Sequence, residues 1–86
     1  MYTLIVDCFT FSLQQQVHIV DEMGRIAGTL HMSLDKIADF LYQDSRITTV
    51  KLAGVPEFCR KIQKDLQEQL VTDYEHLNRE IKIEVL

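Results

Sequence analysis

No apolar run in this chain approaches the roughly 20 residues that a membrane-spanning helix needs. The opening residues also lack the basic segment and apolar stretch of a secretory signal. The three glycines, Gly24, Gly28 and Gly54, form neither a GxGxxG nor a Walker pattern, so no phosphate-binding loop is indicated. We therefore expect a cytoplasmic protein that does not contact a membrane and uses no nucleotide cofactor.

Basic residues are few, with nine Lys and Arg against thirteen Asp and Glu and a formal net charge of −4. The basic side chains are spread along the chain rather than gathered in one stripe. A nucleic-acid interface needs clustered positive charge to attract the phosphate backbone. Nucleic acid is therefore a disfavoured partner, and a protein is the expected one.

Cysteine is also scarce, and the two residues present are expected to be free thiols in a reducing compartment. Cys8 lies within an apolar run and Cys59 within a helical pattern. Neither opens a helix beside a glycine, and no spacing pairs either one with a histidine as a catalytic nucleophile.

The chain has 86 residues, which is enough for a single domain over 1–86 with one core. A domain of this size buries only about 60–65% of the surface that its unfolded chain exposes, so a second copy or a partner would add stability. The pattern predicts strands at 2–9, 16–21, 25–32, 47–53 and 80–86. It predicts helices from Ser33 to about Tyr42 and from Pro56 over some twenty residues.

The second and third strands are expected to form a hairpin around Met23-Gly24. This register pairs Val17 with Leu30, Ile19 with Gly28 and Val20 with Ala27. One face then carries apolar residues and the other mostly polar ones, as half-buried strands require. The apolar face is Val17, Ile19, Ile26 and Leu30, and the polar face is Gln16, His18, Thr29 and His31.

The element order is β-β-β-α-β-α-β, which predicts an α/β fold with a five-stranded mixed sheet of order 3-2-1-4-5. The opening meander is antiparallel, and each helix links strands that run parallel to the first. The first strand is apolar at almost every position, which is typical of a strand covered on both faces. The helices are expected to cover at least one face.

This order, with Asp7 in the first strand (LIVDCF), resembles the ribonuclease H-like fold. That fold is shared by Holliday-junction resolvases of the RuvC and YqgF type and, as half-domains, by actin-like ATPases. The resemblance implies acidic residues that hold Mg²⁺ or Mn²⁺ for phosphodiester cleavage. Here Cys8-Phe9-Thr10 stands in place of the Gly-rich turn of the resolvases, and Glu57 is the one acid near the end of the fourth strand. The implied site is incomplete.

Two clusters are candidates for metal chemistry. Asp7 with Glu57 would serve a nuclease, whereas the alternative is that Asp7 bonds a backbone amide or water. His18 and His31 are expected to be diagonal neighbours on the polar face of the hairpin. No third ligand is evident for them, and zinc normally requires three or four.

The function that best fits is a non-enzymatic interaction domain without a cofactor, which binds a protein partner or forms a homodimer. Its predicted contact residues are Val71, Tyr74 and Leu77 on the end of the second helix and Lys82 and Glu84 on the last strand. The alternatives are a minimal ribonuclease H-like nuclease using Asp7 and Glu57, and the amino-terminal piece of a larger resolvase-like or actin-like protein.

Overall fold

The computed structural model describes residues 1–10, 12–73 and 81–86, with the backbone alone for residues 71–73. Its elements follow the predicted order β-β-β-α-β-α-β. The strands are β1 (Tyr2–Cys8), β2 (Gln15–Val20), β3 (Ile26–Met32), β4 (Ile47–Gly54) and β5 (Lys82–Val85), and the helices are α1 (Leu34–Gln43) and α2 (Pro56–Asp73).

The five strands form one mixed sheet in the predicted order β3-β2-β1-β4-β5. β1 is antiparallel to β2 and parallel to β4, and β5 adds to β4 in the parallel sense. The pairing of β4 with β1 is the contact on which the predicted architecture depended, and it is confirmed.

Both helices begin where the sequence indicates. The Ser33 hydroxyl accepts a hydrogen bond from the Lys36 backbone N–H at 3.3 Å, which satisfies one of the free amides in the first turn of α1. α2 begins at Pro56, where the missing N–H leaves no hydrogen bond unmade. Within the described ranges, neither helix is long and apolar enough to cross a membrane.

The two helices pack on the same face of the sheet. Leu4, Val6 and Cys8 alternate along β1 and are fully buried in one apolar cluster with residues of both helices. Ile5 and Asp7, which lie between them, point to the opposite face and are only partly buried. In the described part of the chain, the helices therefore cover one face of β1 and leave the other, which we call the open face, without a helix layer.

The core lies between the sheet and the helices. Its other buried apolar members come from β2 to β4 and from both helices: Val17, Met32, Ile37, Ala38, Leu41, Ile47, Val50, Leu52, Cys59, Ile62 and Leu66.

The β2–β3 hairpin confirms most of the expected register. Val17 faces Leu30 and Ile19 faces Gly28, as predicted. The Val20–Ala27 pair was wrong, because the ladder shifts between Ile19 and Val20 and Val20 faces Ile26 instead.

The shift makes Ala27 the extra residue of a bulge, and it moves Ile26 to the other face of the sheet. Directly paired residues share a face, and Val20 faces Thr3 of β1 on the open face. Ile26 therefore lies on the open face, not beside Leu30 where it was predicted, and it is 63% exposed.

The turn itself explains the shift. The Asp21 carboxylate accepts hydrogen bonds from the backbone N–H groups of Met23 at 3.0 Å and Arg25 at 2.9 Å. The bond from the Arg25 N–H is the largest influence that lowers the pKa of Asp21. Asp21 also donates its own N–H to the Arg25 carbonyl at 2.9 Å, and Gly24 takes a φ of 81°. The loop thus has three residues between its closing pair, Asp21 and Arg25, rather than two. The bulge at Ala27 compensates for the extra loop residue, so that the pairs from Ile19–Gly28 onward are the predicted ones.

Candidate functional site

Three polar side chains form a line across the open face from β1 to β3. His18 Nε2 lies 3.4 Å from Asp7 Oδ2, and His18 Nδ1 lies 3.0 Å from Thr29 Oγ1. The sheet register builds this arrangement, because His18 faces Thr29 on one side and Ile5 on the other. Asp7 is then one step away along the diagonal. We call Asp7, His18 and Thr29 the polar line.

The polar line consists of one hydrogen bond and one longer polar contact. His18 Nδ1 and Thr29 Oγ1 are hydrogen-bonded at 3.0 Å, and His18 Nε2 faces the Asp7 carboxylate at 3.4 Å. Both members of the Asp7–His18 pair are partly exposed, so solvent screens their attraction. The polar line therefore links three strands, and its main effect is to orient the three side chains relative to one another.

The order carboxylate, imidazole, hydroxyl is also that of a nucleophilic triad. Such a triad needs preorganised N–H donors that point at the developing oxyanion. Thr29 lies in the middle of a strand, where neighbouring backbone N–H groups lie in the plane of the sheet while its hydroxyl stands out of that plane. The geometry therefore favours a structural contact over acyl-transfer chemistry.

The predicted metal residues are not gathered into a cluster. Among the described residues, no group of three or more His, Cys, Asp or Glu side chains is arranged to hold a metal ion. Asp7 contacts His18 on the open face, whereas Glu57 is exposed in the first turn of α2, in the layer against the other face. The use of Asp7 and Glu57 by a nuclease stays a prediction.

The two histidines of the hairpin have the expected diagonal relation. His18 faces Thr29, and His31 faces Gln16 on the next open-face pair along the ladder. His18 is already engaged at both ring nitrogens by Asp7 and Thr29. A metal bound by His18 would have to displace one of these contacts.

A depression of about 300 Å³ opens at the end of β1 beside the polar line. Gln15 is 3% exposed there, and its side-chain amide donates to the Ser12 carbonyl at 3.1 Å. The second strand was predicted to begin at residue 16, but β2 begins at Gln15, which faces Met32. The alternation of Gln15 with Val17 and Ile19 was the signal for this. The lining residues are Asp7, Phe9, Thr10, Gln14, Gln15, Gln16 and His31.

The two cysteines are free, as predicted, and fully buried. The pKa of the Cys8 thiol is raised to about 12, mainly by burial and to a smaller degree by the neighbouring Cys59 thiol and the charge of Asp7. A thiolate is the reactive form of cysteine, so Cys8 is nearly all unreactive thiol at neutral pH.

We expect neither thiol to react with a thiol-specific disulfide reagent at pH 8 while the protein is folded. Both should react within seconds once guanidinium unfolds it, because burial is the cause of the protection. Labelling followed by intact mass measurement checks this. Native labelling of one thiol at the rate of free cysteine would show that the pair is not enclosed.

The predicted contact residues fall into two groups. Lys82 and Glu84 are exposed on β5, at one edge of the described sheet. The Val71 side chain, Tyr74 and Leu77 lie outside the described residues. The proposed role of all five in binding stays a prediction.

The other edge of the sheet is β3, which has a different character. Its seven residues include no Lys, Arg, Asp, Glu or Pro. Leu30 lies on the helix side yet is 44% exposed, so the helices in the described ranges do not fully cover β3 at this position. After the bulge at Ala27, residues 28–32 pair regularly with β2 and form what we call the β3 edge.

No protein-family model, curated protein or solved structure matches this chain. Its architecture is defined by its own strand order and register. The structural features that bear on function are the polar line, the buried thiols and the two sheet edges, β3 and β5, which differ in charge.

Proposed function

We propose that this protein is a non-enzymatic interaction domain that acts by self-association through the β3 edge. The observation that carries the proposal is an edge strand without a charged residue that exposes Leu30. An edge strand presents unpaired N–H and C=O groups, which another strand can satisfy. Two free, buried thiols support a cytoplasmic setting for this function.

The contrast between the two edges supports this choice of surface. Natural proteins discourage pairing at an edge with charged side chains and short strands. β5 has both, since it spans four residues and alternates Lys82 and Glu84 with apolar positions. β3 has no such charge, and its bulge limits the pairing surface to residues 28–32. The uncharged edge is therefore the better candidate for strand addition.

The size of the domain gives a second line of support. A small domain has little core to spare, so covering exposed apolar surface in a partner adds usefully to its stability. Leu30 already stands on the core side of the sheet, beside Val17 on the neighbouring strand. A partner strand would extend this layer over a side chain that is now partly in water.

A charge placed at Leu30 tests the proposal. We expect Leu30→Lys to weaken self-association at least about tenfold, equivalent to about 1.4 kcal/mol, because it introduces a like charge in both copies and removes apolar burial. Light scattering over a series of protein concentrations, from low to high, measures the change in self-association.

The matched control is Val85→Lys on β5. Val85 is 37% exposed and stands at the opposite edge of the sheet, so its substitution alters apolar area and charge to a similar degree. We expect it to leave self-association unchanged. Equal weakening by both variants, or a wild-type protein that stays monomeric at millimolar concentration, contradicts the proposal.

The second candidate function is a ribonuclease H-like, metal-dependent nuclease. The strand order β3-β2-β1-β4-β5 with Asp7 on the central strand supports it, since these are the features that carry the resemblance. This function requires cleavage of branched DNA or RNA with Mg²⁺ or Mn²⁺ that is lost in Asp7→Asn and in Glu57→Gln. Equal activity in these variants and the wild type would exclude it.

A further inference from the structure

We propose that two copies join their β3 edges in antiparallel fashion about a two-fold axis that passes beside Leu30. This inference rests on the proposed function and names the partner as a second copy of the chain. Leu30 then faces the partner's Leu30, Thr29 faces the partner's His31, and Gly28 faces the partner's Met32. The axis is perpendicular to the sheet, so both helix layers lie on the same side of one continuous sheet.

The extent of the regular edge selects this register. The bulge at Ala27 interrupts the strand at one end, and α1 begins at Leu34 at the other. Facing residues in an antiparallel pair point to the same side of the sheet. When two copies of β3 pair with their helix sides together, the two facing residue numbers must therefore both be even or both be odd. Among these arrangements, centring the axis on Leu30 is the one that pairs all of residues 28–32.

On the helix side, this register brings apolar groups together. Leu30 is 44% exposed, and its copy is the group that would cover it. At Gly28, an added Cβ would meet no atom within 4 Å, so there is space there beside the incoming strand. Met32 remains in the core of its own chain, where it is already buried.

On the open face, the register extends the polar line into the second copy. Thr29 Oγ1 already contacts His18 Nδ1 at 3.0 Å. The partner's His31 would stand directly opposite Thr29, within the 4.5–5.5 Å Cβ separation of roughly facing residues. The partner thus contributes an imidazole to each polar line, and symmetry produces the contact twice.

Charge is compatible with self-pairing in this register. Residues 28–32 carry no Lys, Arg, Asp or Glu, so the axis brings no like charges face to face. The same segment offers no acidic or basic side chain to select a strongly charged partner strand. An uncharged strand is the best match, and β3 is itself such a strand.

Disulfide trapping tests the register. Facing residues in an antiparallel pair have Cα atoms about 4.5–5.5 Å apart, within the roughly 4.4–6.8 Å range of disulfides. We expect Leu30→Cys to give a covalent dimer with oxidised glutathione at least about tenfold faster than Gly28→Cys. Two copies of position 28 would be four residues out of step, about 13 Å apart. Wild-type protein sets the background, because Cys8 and Cys59 are fully buried.

A mixed pair of variants keeps Leu30 in place. We expect Thr29→Cys mixed with His31→Cys to form a heterodimer in excess over the covalent dimer of either variant alone. Circular dichroism confirms that each variant is folded before trapping. Faster trapping of Thr29→Cys alone than of Leu30→Cys would overturn the position of the axis.

Two further outcomes separate this inference from the proposed function. If Leu30→Lys weakens self-association but none of the cysteine variants is trapped as expected, the register inferred here is wrong while self-association through the β3 edge stands. If light scattering shows only monomer at every concentration, the proposed function itself fails.

Discussion

Replacing Gly54 by alanine is expected to destabilise this domain more than any other single methyl addition at its glycines. An added Cβ would lie 2.5 Å from the Cys8 carbonyl carbon, 2.6 Å from its oxygen and 2.8 Å from the Phe9 nitrogen. These are backbone atoms at and just beyond the end of the central strand, so no side chain can rotate away to relieve the overlap. Gly54 also has a φ of 144°, which L-residues rarely adopt.

The expected loss of unfolding free energy for Gly54→Ala is about 3–5 kcal/mol, since backbone overlap adds to dihedral strain. A domain of this size has roughly 5–10 kcal/mol in total, so the variant would be close to unfolding at room temperature. Urea denaturation followed by circular dichroism measures the change.

The other two glycines provide matched controls for the same substitution. Gly24→Ala adds only dihedral strain at a φ of 81°, with no atom within 4 Å of the new Cβ, and should cost about 1 kcal/mol. Gly28→Ala meets neither obstacle and should stay within about 0.5 kcal/mol of wild type. Equal denaturation midpoints for the three variants would show that β1 and β4 do not approach as closely as described.

The strand order was predictable because local patterns and chain connectivity agreed. The pairing of Val17 with Leu30 follows from sorting apolar and polar residues onto two faces. Helical patterns after the third and fourth strands favour crossovers between parallel strands, from β3 past β2 and β1 to β4, and from β4 to its neighbour β5. These constraints are contained in residues close in sequence, which is why the order β3-β2-β1-β4-β5 followed from them.

The irregularities were not predictable in the same way. Ala27 becomes an extra residue because Asp21 bonds the N–H groups of Met23 and Arg25 and holds a longer turn. Thr48 is passed over between the Tyr2–Ile47 and Thr3–Thr49 pairs of β1 and β4. Strict alternation would assign Ile26 to the wrong face, since a bulge changes the period locally.

The contacts of the polar line were likewise only partly predictable from the sequence. His18 and Thr29 belong to one hairpin, so their contact follows from its register. Asp7 joins them only through the pairing of β1 with β2, across a connection whose length does not set the register. The sequence therefore identified Asp7 as notable but did not supply its partner.

The apolar run of β1 is a further case in which the sequence pattern did not predict the environment of each residue. Leu4 and Ile5 are equally apolar, and a run of this kind is typical of a strand covered on both faces. In the described residues, Leu4 faces the helix layer and is fully buried, whereas Ile5 is partly buried between His18 and Lys51 on the open face. As far as the described residues go, Ile5 is buried by the neighbouring strands and not by a second layer.

Truncating these two neighbours distinguishes the two faces of the sheet. Leu4→Ala is expected to lower the free energy of unfolding by about 2–5 kcal/mol, because it removes buried methyl groups and leaves a cavity in the core. Ile5→Ala should cost about 1 kcal/mol, since partly exposed neighbours on an open face can close over the loss. Urea denaturation of both variants under the same conditions measures the difference.

The outcome bears directly on the open face and thus on the polar line that lies across it. A loss at Ile5 as large as that at Leu4 would mean that a second layer covers this face, and the described two-layer arrangement would be wrong. If the loss of unfolding free energy is at least about twice as large for Leu4→Ala as for Ile5→Ala, the open face is accessible to solvent. Thr29, the member of the polar line on β3, then remains available to the incoming strand that the β3 edge is proposed to bind.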